Sequence, residues 1–439
     1  MKDLGRNFWL FTTGRLVSLI GSGVQALAIP LYILDITGSG AMMGTFSIVT
    51  MLPRILFGPI AGVLGDRFNR KLIMIYMDFA RGAAILAMAY LANSEALTIT
   101  LLFIFQLIVS TLDISFDPAT AAMLPDIIGE DNLLRGNSIL GAVNSVSYIV
   151  GPALGGILYG LFGIEIVFIL NGASFIASAI SEIFIRYQQT TEKSKVSVKS
   201  VFLDIAEGIT FLRKIKGLLM VLVFAMVSNF LLSPIFIVVF PFFARTVVGF
   251  SSQQYGFLQS GWVVGVLVGN VLLGTILVKK RQGRLFAGGL AAETIINFIL
   301  AAFFFPYFTR LFGGASWLYF VSLGVPIIVM GVFNAFVNTP LQTLFHRIVP
   351  TSHRSRVFSV ISILAQIATP LGSAIFGFAV DRFPVHYLVL ASCIGNAILT
   401  VVFLIKGMSK LFEDKLSRNR NETTGPSIET ETASEGIGA

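Results

Sequence analysis

A chain of 439 residues that is 55% hydrophobic and only 12% charged stands apart from soluble domains, where about 25% of residues are charged. With a mean hydropathy of +0.84 and 40 phenylalanines, it has too few polar side chains to cover a water-facing surface, and a soluble fold is excluded. The formal net charge of +8 raises nucleic acid as a partner, but the placement of those charges removes the need for it.

At about 20 apolar residues per crossing, the length admits about a dozen membrane helices on short loops. Twelve apolar stretches are predicted, at 8–34, 42–64, 73–92, 97–121, 137–160, 164–186, 218–244, 254–278, 285–307, 317–345, 357–379 and 386–406. The first is too long for a signal-sequence core and runs through Arg15 to a hairpin at 35–40. Residues 188–217 interrupt the pattern. Within them Val201, Ile205, Ile209 and Leu212 recur at helical spacing, which predicts an amphipathic helix along the cytoplasmic face. From Ser409 the chain is too polar to bury a core. The predicted organisation is an N-terminal six-helix bundle (1–187), a cytoplasmic central loop with an amphipathic helix (188–217), a C-terminal six-helix bundle (218–407) and a disordered cytoplasmic tail (408–439). A faint repeat, Gly151-Pro152-Ala-Leu-Gly155 against Thr369-Pro370-Leu-Gly372, fits two related halves.

The basic residues sort sharply on this map. Odd-numbered gaps hold only Arg245, Arg310 and Arg382, and the stretches hold Arg15, Arg54 and Arg81. The remaining Lys and Arg lie in even-numbered gaps or at the termini, which places both termini in the cytoplasm of a multi-pass protein of the cell membrane.

The gap after the second stretch reads Gly62-Val-Leu-Gly-Asp66-Arg67-Phe-Asn69-Arg70-Lys71. It resembles the signature between helices 2 and 3 of the major facilitator superfamily, with Asn69 where the family has glycine, a residue type that tolerates left-handed backbone. The resemblance implies an all-α polytopic membrane protein of twelve helices in two pseudo-symmetric six-helix bundles, with Gly62, Asp66, Arg67, Arg70 and Lys71 as a cytoplasmic latch of the outward-facing state. Gly377-Phe-Ala-Val-Asp381-Arg382 opens in the same way but follows an odd-numbered stretch, so it is predicted to be an external helix end with no latch role.

Gly151-Pro152-Ala-Leu-Gly155-Gly156 is similar to the antiporter signature of helix 5 in exporters of the superfamily. That implies close packing of helices 5 and 8, a bend at Pro152 and export rather than import. Asp78-Phe-Ala-Arg81, Phe116-Asp117-Pro118-Ala119, Leu124-Pro125 and Arg354-Ser-Arg356-Val-Phe-Ser359 look like the macrolide-efflux branch of drug–proton antiporters. This resemblance runs over nearly all of 8–406.

Ionisable groups inside membrane stretches are costly and are functional candidates by default. Asp78 and Arg81, spaced i, i+3, can form a buried ion pair. Glu182 lies near the end of its stretch and is expected to snorkel to the border, while Glu293 stands alone in stretch nine. Asp113 and Asp117 share a helix face, and two carboxylates so close do not both stay ionised in a low dielectric. With Arg15, at similar depth, they are the proton-coupling candidates, through an Arg15–Asp117 or Arg15–Asp113 pair. Cavity candidates on helices 1, 4, 7 and 10 are Gln25, Tyr32, Phe116, Asn229, Phe230, Phe236, Asn334, Phe336 and Asn338, a mixture of rings and amides that suits amphipathic ligands.

One cysteine, Cys393, and three scattered histidines, His346, His353 and His386, offer neither a disulfide framework nor a metal site. The sequence has no Walker motif and no nucleophile–base constellation, so no enzymatic activity, catalytic residue or cofactor is expected. The expectation is a monomeric secondary transporter in the lipid bilayer that exports hydrophobic or amphipathic small molecules by alternating access, coupled to protons. The alternative is a lipid or lysolipid flippase, or an uncoupled facilitator, of the same fold.

Overall fold

The computed structural model describes residues 4–67, 69–187 and 198–407, without the side chains of 59–67, 198–202, 204, 351–356 and single positions that include Asp117. The predicted tail 408–439 and most of the polar start of the central loop (188–197) lie outside the described residues. Among the described residues the regular structure is helical throughout.

The N-terminal set comprises α1 (Gly5–Thr37), α2 (Gly40–Arg67), α3 (Arg70–Asn93), α4 (Ile99–Ile128) and α5 (Leu133–Ile183). After α6 (Val198–Lys214) come α7 (Lys216–Pro234), α8 (Ser252–Thr275), α9 (Gln282–Phe303), the short α10 (Pro306–Leu311), α11 (Trp317–Ile348), α12 (Thr351–Val380) and α13 (Val385–Val402). Local chemistry sets several ends. Gly38 closes α1 at φ 62°, the left-handed conformation that glycine adopts without strain. Thr98 and Ser316 cap α4 and α11, and Ser251 with Gln254 forms a reciprocal capping box on α8. Beyond Pro234, wider π-helical turns at Ile235–Val239 and Phe243–Val248 carry the α7 run to Val248.

Ten helical runs among the described residues are long and apolar enough to cross a membrane. One of them, Glu130–Ile183, has 54 residues, about 80 Å at 1.5 Å per residue, against a hydrocarbon core of about 30 Å. It breaks at Gly163 (φ 78°, ψ −173°), and its neighbours show that the chain folds back there. In the first arm Gly136, Gly151 and Gly155 face Phe8, Gly23 and Leu27, ascending with α1. In the second arm the order is reversed: Asn171 and Ser174 face Gly21, Ser178 faces Gly14, and Arg186, just past the arm, bonds Asn7. The two arms are therefore antiparallel passes on either flank of α1. Outside the ten runs, α12 is apolar over Ile367–Val380 and packs along α2.

Helix α6 spans less than the predicted loop, and its apolar face is docked on protein. Leu212 is buried, with Ile205 and Ile209 beside it, against Leu218, Phe345 and Val357 of α7, α11 and α12.

Contacts between the N- and C-terminal sets gather at the end of the molecule that carries Asp35. There α5 meets α8 and α2 meets α12. Arg70 and Lys71 mark the opposite end.

Candidate functional site

The polar centre of the N-terminal set is built on Arg81. On α3, Asp78 and Arg81 lie one turn apart and are in direct contact, with Asp78 0% exposed. The other arm of the guanidinium, Nη1, donates to Asp113 Oδ1 on α4 at 2.6 Å. Two rings sandwich the cation, with Arg81 Cζ 4.1 Å from the Phe116 ring centre and 4.5 Å from that of Phe175. Asp113 is the open member of the group, its side chain 39% exposed. The partner of Asp113 is thus Arg81 and not Arg15, because α3 lies beside α4 with its fork already at that depth. Arg15 Nη1 reaches Thr120 Oγ1 at 3.5 Å, and its Nε is buried without a hydrogen-bond partner among the described residues. The side chain of Asp117 lies outside the described residues.

Glu182 does not snorkel. It is 3% exposed, accepts from Ser178 Oγ at 3.2 Å, and comes within hydrogen-bonding reach of Asp78. A stripe of Ser174, Ser178 and Ser181 turns that face of the second α5 arm inward, and the same polar stripe in the sixth apolar stretch is the signal that could have placed Glu182 inside.

At the Arg70 end, the side chains of Gly62, Asp66 and Arg67 fall outside the described residues. Arg70 is buried and donates to Ala122 O and Asp126 Oδ2, at 3.2 and 3.5 Å, and Lys71 Nζ donates to Ile183 O at 2.9 Å. Asn69 has φ −66° and ψ 114°, so its role is not to supply left-handed backbone. Its side chain caps α3, Oδ1 accepting from the N–H groups of Lys71 and Leu72. Just past α5, Tyr187 donates to Asp126 Oδ2 at 2.8 Å. Burial and that hydrogen bond push its phenol up to about 12, so it remains a donor at working pH.

The glycine motif of stretch five packs on two sides. A Cβ on Gly151 would lie 2.8 Å from Gly23 Cα, and one on Gly155 2.7 Å from Val24 O. Gly156 abuts the Ser252 carbonyl on α8, and Gly256 returns the contact at Pro152 O. Ser260 Oγ donates to Ile149 O at 2.6 Å across the same seam. Gly156→Ala is expected to destabilise the protein by about 1–3 kcal/mol, since backbone must move to admit the methyl group. Gly141→Ala, at a position with nothing within 4 Å, is expected to be neutral or stabilising by up to about 1 kcal/mol. Thermal unfolding in detergent checks both.

The look-alike segment after α12 does act across the sets. Asp381 accepts from Ser39 Oγ at 2.7 Å and from the Gly40 and Ala41 N–H groups at 2.6 and 3.1 Å. Its carboxylate therefore sits on the positive N-terminus of α2, a contact between the sets that the reading as an external helix end did not include. Nearby, Asp35 takes both oxygens to Arg245 Nη2 at 2.8 Å and accepts from Tyr159 Oη at 2.7 Å. No periodicity within either partner signals these pairings.

The cavity candidates divide. Gln25 is buried and accepts from Asn171 Nδ2 at 2.6 Å, so it ties α1 to the second α5 arm instead of facing open space. Phe116 is likewise buried, under Arg81. Tyr32, Asn229, Phe230, Phe236 and Phe336 are half-buried. Asn334 donates to Glu293 Oε1 at 3.1 Å and accepts from the exposed Asn338 at 2.9 Å. Glu293 is therefore not alone: it ends an amide ladder on α11.

The sequence model of the Major Facilitator Superfamily matches residues 11–325. Macrolide efflux protein A of Streptococcus pyogenes is 26% identical over 409 residues, covering 92% of this chain and 97% of its own. The multidrug efflux pump Tap of Mycobacterium tuberculosis is 24% identical over 393 residues, covering 87% and 88%. Among solved structures, a bacterial homologue of the iron transporter ferroportin in its inward-facing state superposes with a TM-score of 0.70 at 15% identity, over 92% of this chain and 100% of that one. At that identity the likeness speaks for the fold alone.

Proposed function

The chain belongs to the Major Facilitator Superfamily, and on that premise we propose that it exports hydrophobic or amphipathic small molecules, macrolide-like drugs among them, by alternating access in exchange for protons. Likeness to two efflux proteins over 92% and 87% of the chain supports this most directly. We further propose twelve passes as two sixes, with both termini cytoplasmic. The Asp35 end is then the outer face and the Arg70 end the inner one.

In this scheme α1, α4, α7 and α11 line the pathway. Half-buried rings and the Asn334–Asn338 ladder supply an apolar wall with a few amides, the composition of sites for poorly soluble ligands. Coupling runs through the acidic centre of the N-terminal set. Asp113, the most open acid of that centre among the described side chains, and Asp117 are the groups we propose to exchange protons. Arg15 is the cation proposed to re-pair as they do. Gly62, Asp66, Arg67, Arg70 and Lys71 are assigned the inner latch, and Gly151, Pro152, Gly155 and Gly156 the packing seam on which the sets rock.

Accumulation of radiolabelled erythromycin in cells with and without the protein tests the proposal. Expression is expected to lower accumulation, and a protonophore to abolish that difference. Equal accumulation in both cells would remove the exporter. A difference that survives the protonophore would remove the proton as the driving ion. Equal final accumulation reached faster with the protein would favour the uncoupled facilitator, and inward movement of a fluorescent lysolipid in proteoliposomes the flippase.

A further inference from the structure

Beside Arg81 lies an acid pair that has no role in the scheme so far. Asp78 is 0% and Glu182 3% exposed, and each turns one carboxylate oxygen toward a place where no donor among the described residues meets it: Asp78 Oδ2 and Glu182 Oε2. The other oxygens are served, Asp78 Oδ1 by Arg81 and Glu182 Oε1 by Ser178. The two side chains are within hydrogen-bonding reach of each other. Ionised carboxylates are acceptors only and cannot bond to one another. Buried this deeply, two facing carboxylates do not both keep their charge.

The charge count points the same way. The charged groups at this depth are Arg81 on α3, Asp113 on α4 and Arg15 on α1, with Asp117 also on α4. Arg81 is shared between Asp78 and Asp113, and Arg15 goes to Thr120. No cation among the described residues is left for Glu182.

We infer that Asp78 and Glu182 hold one proton between Oδ2 and Oε2, and that this is a second proton exchanged during transport, beside that of Asp113 and Asp117. The inference rests on the proposed proton coupling and adds a second site to it. Access is short, because Glu182 is one residue from the end of α5, beside the Ile183 carbonyl that binds Lys71 at the inner border. Loss of the proton leaves two facing carboxylates with half a guanidinium between them, and pushes the second α5 arm away from α3. That arm also packs on α1 at Gly14, whose Cβ would lie 3.1 Å from Ser178 Oγ. Arg15, next in the chain, has a buried Nε without a hydrogen-bond partner among the described residues, and it can turn toward the new charge. The pair thus links protonation to a junction of three helices.

The experiment uses the full-length protein in proteoliposomes, with erythromycin as the transported probe. An imposed pH gradient is expected to drive uphill erythromycin movement in the parent protein. In Glu182→Gln and Asp78→Asn, gradient-driven accumulation is expected to fall at least about tenfold, the scale of a coupling free energy, while exchange at equal pH persists. Infrared difference spectra of the parent protein near neutral pH are expected to show a protonated carboxyl band that Glu182→Gln removes and Asp113→Asn keeps. That signal reads the proton without transport, and it is taken on variants whose thermal unfolding matches the parent. A parent protein indifferent to the pH gradient would overturn the coupling proposal itself. A coupled parent whose coupling survives in both variants, or whose carboxyl band survives Glu182→Gln, would overturn this site alone. Drive by a sodium gradient at equal pH would replace the proton with a metal cation and overturn it too.

Discussion

Replacing Arg81 with alanine is expected to be the most damaging single change in the N-terminal set, costing about 3–5 kcal/mol, the range for stripping one partner from a buried ion pair. Arg81 touches Asp78 and Asp113 on two helices and fills the space between Phe116 and Phe175. Its removal leaves two acids without a cation and a gap between two rings. Part of the cost is recovered as the carboxyls take up protons, so the lower end of the range is the firmer figure. Arg81→Lys is expected to rescue only partly. A lysine brings the charge but not the planar fork that reaches two carboxylates at once, and it stacks less well on an aromatic face. Thermal unfolding of the detergent-extracted protein, with yield from the membrane as a second reading, checks the order parent, then Arg81→Lys, then Arg81→Ala. Equal stability of all three would mean that the cluster holds nothing together.

The features legible in the sequence are those set within one segment. Apolar run length gives the spans, and the i, i+3 spacing puts Asp78 and Arg81 on one face. Gly151, Gly155 and Gly156 announce close packing through residue size alone. What the sequence conceals depends on which helix lies beside which. Asp113 reads as a partner for Arg15 because both belong to cavity helices, but α3 brings a second arginine to the same level. Glu182 reads as a border residue by its distance from the helix end, yet the serine stripe of its arm turns it toward Asp78. Asn69 looks like a substitute for glycine until its cap on α3 is seen. Asp381 is hidden most completely, since its three donors lie about 340 positions away in the chain.

The second large effect is expected at the Asp35 end, where two charged contacts hold the sets together. Asp381 gathers a hydroxyl and two backbone N–H groups at the start of α2. A carboxylate bonded to a helix N-terminus contributes about 1–2 kcal/mol. The Asp35–Arg245 pair is partly exposed, its side chains 31% and 23% accessible, so screening holds it to about 1 kcal/mol or less. If opening of this end requires both contacts to break, Asp381→Ala raises the open population about tenfold and Asp35→Asn a few-fold. The two contacts share no residue, so in the double variant the factors multiply. A cysteine at Ser373, a buried position packed on Gly44 across the α2–α12 seam, reports the opening. Cys393 is the sole native cysteine and is buried, so a Cys393→Ala background leaves the reporter alone. Labelling of Ser373→Cys by a membrane-impermeant maleimide from outside is expected to accelerate in the order given. Labelling of Tyr307→Cys, already exposed, is expected to stay constant. An unchanged rate at position 373 in the double variant would show that glycine packing alone, through Gly44 and Gly156, keeps this end shut. The charged contacts would then serve only to align the sets as they meet.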